Sequence, residues 1–202
     1  MENFYLLGGK NTSPAASAFA PEEIRKMDAH DKLISVIENV SELPFELTLV
    51  KLTITKKGLA KSPDLTGVKM LWSDYLANSQ AWPLFSMRAK EIIENCLTGN
   101  EELSWISASV RGNNEKQTYY IARFAKPLDV LDMDNTTFVP ETDSIIKPVF
   151  SWPKVKDYSV IYRPSYGESW KIPRSLYVSE KIKREMQKEK LSRIIFGKTR
   201  VI

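Results

Sequence analysis

The chain opens with a short apolar run, Phe4-Tyr5-Leu6-Leu7, that stops at Gly8-Gly9 and predicts a first strand followed by a turn. Residues 10–20, rich in Ser, Ala and Asn, predict a loop. Pro21 followed by Glu22 and Glu23 marks a helix start, because proline fits the first turn and acids suit the positive end of the helix dipole. Ile24 and Met27, then Leu33, Ile34, Ile37 and Val40, keep helical spacing, so the stretch reads as a helix, or as a helix followed by a strand, ending at Pro44. Phe45, Leu47 and Leu49 alternate with Glu46 and Thr48 as a half-buried strand that ends at Lys56-Lys57-Gly58. Leu52 and Ile54 fall on the other parity, which predicts a bulge near Val50 or Lys51.

Between residues 67 and 86, Trp72, Tyr75, Trp82 and Phe85 predict a strand or short helix and then an ordered loop pinned by its rings. Ser86 is a helix N-cap, Ala89, Ile92, Ile93 and Cys96 follow at helical spacing, and Gly99 suits the end of that helix. Alternation over Trp105–Val110, the turn residues Arg111-Gly112-Asn113-Asn114 and the return Thr118–Phe124 predict a hairpin. Residues 128–135 form a short strand or loop rich in acid. Two short strands follow, Ile145–Phe150 and Val155–Tyr162, separated by Trp152-Pro153, with Pro148, Pro153 and Pro164 pointing to edge or irregular pairing. Leu176-Tyr177-Val178 leads to Ser179 as an N-cap, a charged helix from Glu180 and a last strand at Ile194-Ile195-Phe196. The order of aromatic residue, Ser cap, helix and strand thus occurs at 84–110 and again at 176–196, either as two related lobes or as capping chemistry shared by α+β units.

These elements predict an α+β fold: a mixed or mainly antiparallel sheet with a few short helices packed on it. The 202 residues fit a single domain, 1–202, with lobes 1–100 and 101–202 as an allowed subdivision. Apolar residues make up 43% of the chain and charged residues 27%, enough for a packed core and against wholesale disorder. Cys96 is the only cysteine, so no internal disulfide forms. With no signal-peptide pattern at the start and no long apolar run, the expected address is the cytoplasm. The net charge of +4 is uneven: residues 147–202 hold 14 Lys+Arg against 5 Asp+Glu, whereas residues 101–146 hold 4 against 8. Such a gradient either steers a charged partner or reflects a solvated basic terminal helix.

Reactive residues are scarce. His30 is the only histidine and reads as solvated, and Cys96 lies at an apolar helix position, so a Cys–His pair is disfavoured. Zinc ligands are too few. Asp129, Asp132 and Asp134 with Asn135 could hold a hard cation, but they lack the glycine and distal Glu of a calcium loop and equally serve turns. No phosphate-binding loop is present, and no cofactor is expected. The C-terminal quarter interleaves Tyr158, Tyr162, Trp170 and Tyr177 with Arg163, Lys171 and Arg174, a composition open to nucleic-acid binding as well as to ordinary strands.

Four stretches carry a resemblance over most of the chain. They are Trp72-Ser73-Asp74-Tyr75-Leu76 with Ala81–Ser86; Leu97-Thr98-Gly99-Asn100-Glu101 with Trp105-Ile106; Tyr119-Tyr120-Ile121 leading to Leu128-Asp129-Val130-Leu131-Asp132; and Leu176–Glu180 with Ile194-Ile195-Phe196. Together they resemble the immunity proteins of bacterial polymorphic toxin systems. The resemblance implies an α+β fold, no enzymatic activity, and a cognate toxin protein as partner. The expected contact residues are Arg163, Tyr166, Trp170 and Arg174, rings and cations beside Pro164 and Gly167; core roles for Tyr166 and Trp170 are the alternative. The acidic segment 129–143, with Asp129, Asp132 and Asp134, is a second expected surface, favoured if the toxin is a basic nuclease.

Overall fold

The computed structural model describes residues 2–10, 12–26, 30–165 and 167–202, with only the backbone of His30 and Asp31. Met27 and Tyr166, and the side chain of His30, lie outside the described residues. In chain order the elements are β1 (Phe4–Gly9), β2 (Ala15–Phe19), α1 (Glu22–Arg25), α2 (His30–Ile37), β3 (Leu47–Thr55), β4 (Gly58–Ser62), β5 (Ala77–Asn78), β6 (Leu84–Phe85) and α3 (Met87–Glu94). They continue with β7 (Leu103–Gly112), β8 (Glu115–Phe124), β9 (Thr137–Phe138), β10 (Ile145–Lys147), α4 (Trp152–Val155), β11 (Val160–Tyr162), β12 (Leu176–Ser179), α5 (Glu180–Lys188) and β13 (Ile194–Lys198).

The fold is α+β. One antiparallel sheet has the order β11-β12-β1-β13, so the first strand of the chain pairs with its last two. A larger mixed sheet has the order β5-β2-β3-β7-β8-β6, with β4 extending β3. Within it β2–β5 and β3–β7 are parallel and the remaining pairs antiparallel. The ribbon β9–β10 pairs with neither sheet. One core lies among the first sheet, α3, α5 and Phe150; a second lies between α2 and the large sheet, around Leu47, Trp82, Ile106 and Tyr119.

Local chemistry explains the clearest elements. The β7–β8 hairpin turns at Asn113 and Asn114, with φ of 47° and 64°, the left-handed values a tight two-residue turn requires. Gly112 precedes that turn because a Cβ there would come within 2.6 Å of the Leu49 side chain. The Ser86 hydroxyl caps α3 by accepting from the Ala89 N–H at 3.3 Å. Helix α3 ends at Glu94, five residues before Gly99, whose φ of 92° serves the following turn. Ser179 precedes α5, but its buried hydroxyl makes no capping bond; a Glu180–Arg184 ion pair one turn apart forms at 3.5 Å. Helices α3 and α5 pack against each other.

Several expectations need correction. Residues 15–19 are not loop but β2, a buried inner strand of the large sheet; its Ala15-Ala16-Ser17-Ala18 run is buried at every position, so it shows no alternation. No bulge occurs at Val50 or Lys51: β3 keeps continuous register with β2 and then β4. The parity changes because the strand leaves the core, exposing Ile54 opposite Leu59 in the β3–β4 hairpin. Lys56-Lys57-Gly58 is therefore a turn into another strand. Trp152-Pro153 opens α4, with proline in the first turn where no intrahelical N–H is needed, and the strand after it shortens to β11.

Asp74 ties three parts together. Its carboxylate accepts the Ser192 N–H at 2.7 Å, the Ser192 hydroxyl at 2.8 Å and the Ser86 hydroxyl at 2.7 Å. Burial disfavours the charge, but these bonds and Arg88 outweigh it and hold the carboxyl below its ordinary value of 3.8. A carboxyl depressed in the folded state adds stability above its unfolded pKa, and that stability is lost as pH falls through the folded value. Asp74→Asn is expected to cost about 2 kcal/mol near neutral pH, with the gap to wild type narrowing below about pH 4. Urea melts at both pH values check this; a gap that stays constant contradicts it.

Candidate partner-binding surface

The acidic segment that follows β8 is fixed from beneath. The Leu128 N–H donates to the hydroxyl of Tyr162 at 2.8 Å, a buried ring whose pKa burial pushes up to about 12. Leu128, Val130 and Leu131 point inward, leaving Asp129 exposed. Backbone bonds from Ser151 N to Val130 O and from Asp132 N to Val149 O, at 3.0 and 2.9 Å, lay the segment along residues 149–151. Those residues are in turn bonded to the chain end, Phe150 N to Arg200 O and Ile202 N to Phe150 O.

The three predicted acids do different things. Asp129 pairs with Lys154 at 2.8 Å. Asp132 accepts from the Asn135 backbone and side-chain N–H groups, both at 2.9 Å, and closes a turn; the Asn135 side-chain bond chiefly lowers its pKa. Asp134 is exposed. Among the described residues no group of three or more His, Cys, Asp or Glu is arranged to hold a metal ion.

Above this floor lies a cleft of about 320 Å³, walled by Leu128, Leu131, Met133, Phe138, Ile145 and Pro164, with Asp129, Asp143 and Ser165 also lining it. Met133, Phe138 and Asp143 also border an adjoining hollow under the 139–143 turn. On the other side of Ser165 a cleft of about 220 Å³ is lined by Arg163 and Arg174, both exposed. The two clefts share Ser165, with predicted Asp129 lining the first and the predicted cations Arg163 and Arg174 lining the second. Trp170 does not join them. It is half-buried against the first core and lines a separate cleft with Glu38, Arg123 and Lys171. Predicted Tyr166 lies outside the described residues.

Among the described residues, several rings of the C-terminal quarter are turned inward. Tyr162 and Tyr177 are buried, and Tyr158 packs on the core, so these rings offer no stacking platform for bases. Cys96 is also buried, which raises its pKa and keeps the thiol protonated. Sequence reasoning missed Met133, Val139 and Ile146, apolar residues that are largely exposed. No pattern in the sequence marks them, since an apolar residue does not by itself reveal its exposure.

An open apolar cleft with acids along it, and with arginines lining the next cleft beyond Ser165, has the chemistry to hold apolar and charged side chains. A model of the immunity protein family (Imm11) matches residues 19–200, and the chain belongs to this family. No match was found among curated proteins. No helix among the described residues is long and apolar enough to cross a membrane.

Proposed function

We propose that this protein neutralises a cognate toxin of a bacterial polymorphic toxin system by direct contact, acting as a single domain in the cytoplasm and without catalysis of its own. The observation that carries this is family membership across residues 19–200, which takes in every element from α1 onward. An inhibitor of this kind needs complementary surface rather than reactive groups, typically about 800 Å² per partner around a few anchors. The surface around Pro164 and Ser165 is our choice, with Asp129, Asp132 and Asp134 on one side and Arg163 and Arg174 on the other; Tyr166 remains a candidate from the sequence alone. Trp170 faces another cleft and would act mainly through packing.

Co-expression with the C-terminal region of the large protein encoded beside it tests the reading. Cells carrying both proteins are expected to survive where cells carrying the toxin alone die. Equal killing with and without this protein would refute it.

A further inference from the structure

We infer that the ribbon over residues 128–146 is the main contact and that it fits a cationic protein surface which inserts an apolar side chain into the cleft beneath Met133. This rests on the toxin-neutralising reading and adds the chemistry of the partner.

Three observations converge. From Pro127 to Ile146 the chain has five acids, Asp129, Asp132, Asp134, Glu141 and Asp143, and no Lys or Arg, in a protein whose net charge is +4. The same stretch exposes Met133 at 60%, Ile146 at 58% and Val139 at 39%, a concentration of large apolar side chains that folding leaves uncovered. Finally, β9–β10 belongs to neither sheet, so the ribbon projects these side chains from a floor fixed by residues 149–151.

An apolar centre bordered by an acidic stretch is the layout of a specific protein interface: the centre holds the binding energy, and the charges speed encounter and select partners. Lys154 pairs with Asp129, and Lys147, Arg163 and Arg174 border the ribbon, but every charged residue within 127–146 is acidic, and a cationic partner surface complements that stretch. A bare cation is a poorer fit, since the carboxylates do not converge among the described residues.

The test uses the full-length protein and the purified toxin region, with Kd and association rate measured at about 0.05 M and about 0.5 M salt. Met133→Asp and Ile146→Asp change exposed positions and leave the core intact, which a thermal melt verifies. Each is expected to weaken toxin binding about 30-fold or more and to abolish rescue. Asp134→Lys with Glu141→Lys is expected to slow association about tenfold at low salt and to flatten its salt dependence. Ile54→Asp and Leu59→Asp, at the exposed hairpin elsewhere, are expected to bind within about threefold of wild type. If wild type neutralises the toxin but the Met133 and Ile146 variants bind as well as it does, the inference is wrong while the toxin reading stands. If those variants only turn a dimer into monomers, a second copy occupies the ribbon and the inference is again wrong. Failure of wild type itself removes the toxin reading.

Discussion

Glu101→Ala is expected to destabilise the protein by about 2–4 kcal/mol, a large share of the stability of an ordinary domain. Glu101 is fully buried in the connection between α3 and β7. One carboxylate oxygen accepts the Thr98 and Gly99 N–H groups, both at 3.1 Å, and lies 2.9 Å from the Thr98 hydroxyl. The other accepts the Ser159 N–H at 2.5 Å, joining this connection to the segment that enters β11. Alanine would leave the buried Ser159 N–H without an acceptor, at about 1–3 kcal/mol, and would also remove the acceptor of the less buried Thr98 and Gly99 N–H groups, which water can partly replace. Glu101→Gln keeps an acceptor at one end but turns an amide NH₂ toward the donors at the other, so it should fall between. Urea unfolding of the three proteins checks the order. An alanine variant within about 1 kcal/mol of wild type would mean the donors find other partners.

The second large effect is expected at Phe150. The ring is fully buried and meets Tyr177 edge to face, with centroids 4.8 Å apart. Its backbone is bridged to Leu131 on one side and to Val201 on the other. Phe150→Ala should cost about 3–5 kcal/mol through lost contacts and an unfilled cavity. It should also loosen the floor of the apolar cleft, because residues 130–132 are hydrogen-bonded to 149–151. Hydrogen exchange at the Asp132 and Ser151 amides is expected to accelerate more than at the β7–β8 hairpin. Phe150→Leu should restore most of both properties. Uniform acceleration across the molecule would show that Phe150 supports the fold without specially supporting the cleft.

How much of this was legible in the residues depended on how far each signal reached along the chain. The β7–β8 hairpin announced itself through alternation and a turn of Asn113 and Asn114, both local features. So did the Ser86 cap and the final helix and strand. Strand β2 was hidden because alanine and serine buried on both faces have no periodicity, and β4 because Gly58–Ser62 is exposed along nearly its whole length. Proline at 153 reads as a breaker in isolation; only its place in a first turn makes it a helix start. The pairing of β1 with β12 and β13 joins positions some 170 residues or more apart, beyond any local pattern.

The candidate surface divides in the same way. Arg163, Arg174 and Asp129 are each marked by type and neighbours, but their placement in two clefts that share Ser165 is a product of the tertiary fold. Trp170 was chosen beside the arginines because it is near them in sequence, and the turn at Gly167–Trp170 directs it elsewhere. The role of Asp132 as a turn-former, weighed from its spacing to Asn135, is what the hydrogen bonds show. Met133, Val139 and Ile146 were passed over because exposure cannot be read from an apolar residue alone.

Titration of the toxin's activity with this protein tests direct, non-catalytic neutralisation most closely. The purified toxin region is held at a fixed concentration well above the Kd, and residual activity is measured at once and after prolonged incubation. The expected result is a linear fall that reaches zero at a fixed molar ratio and does not change with time. Inactivation that continues with time at amounts far below that ratio would reveal turnover, and full activity in molar excess would show that no neutralising complex forms; either would contradict the account.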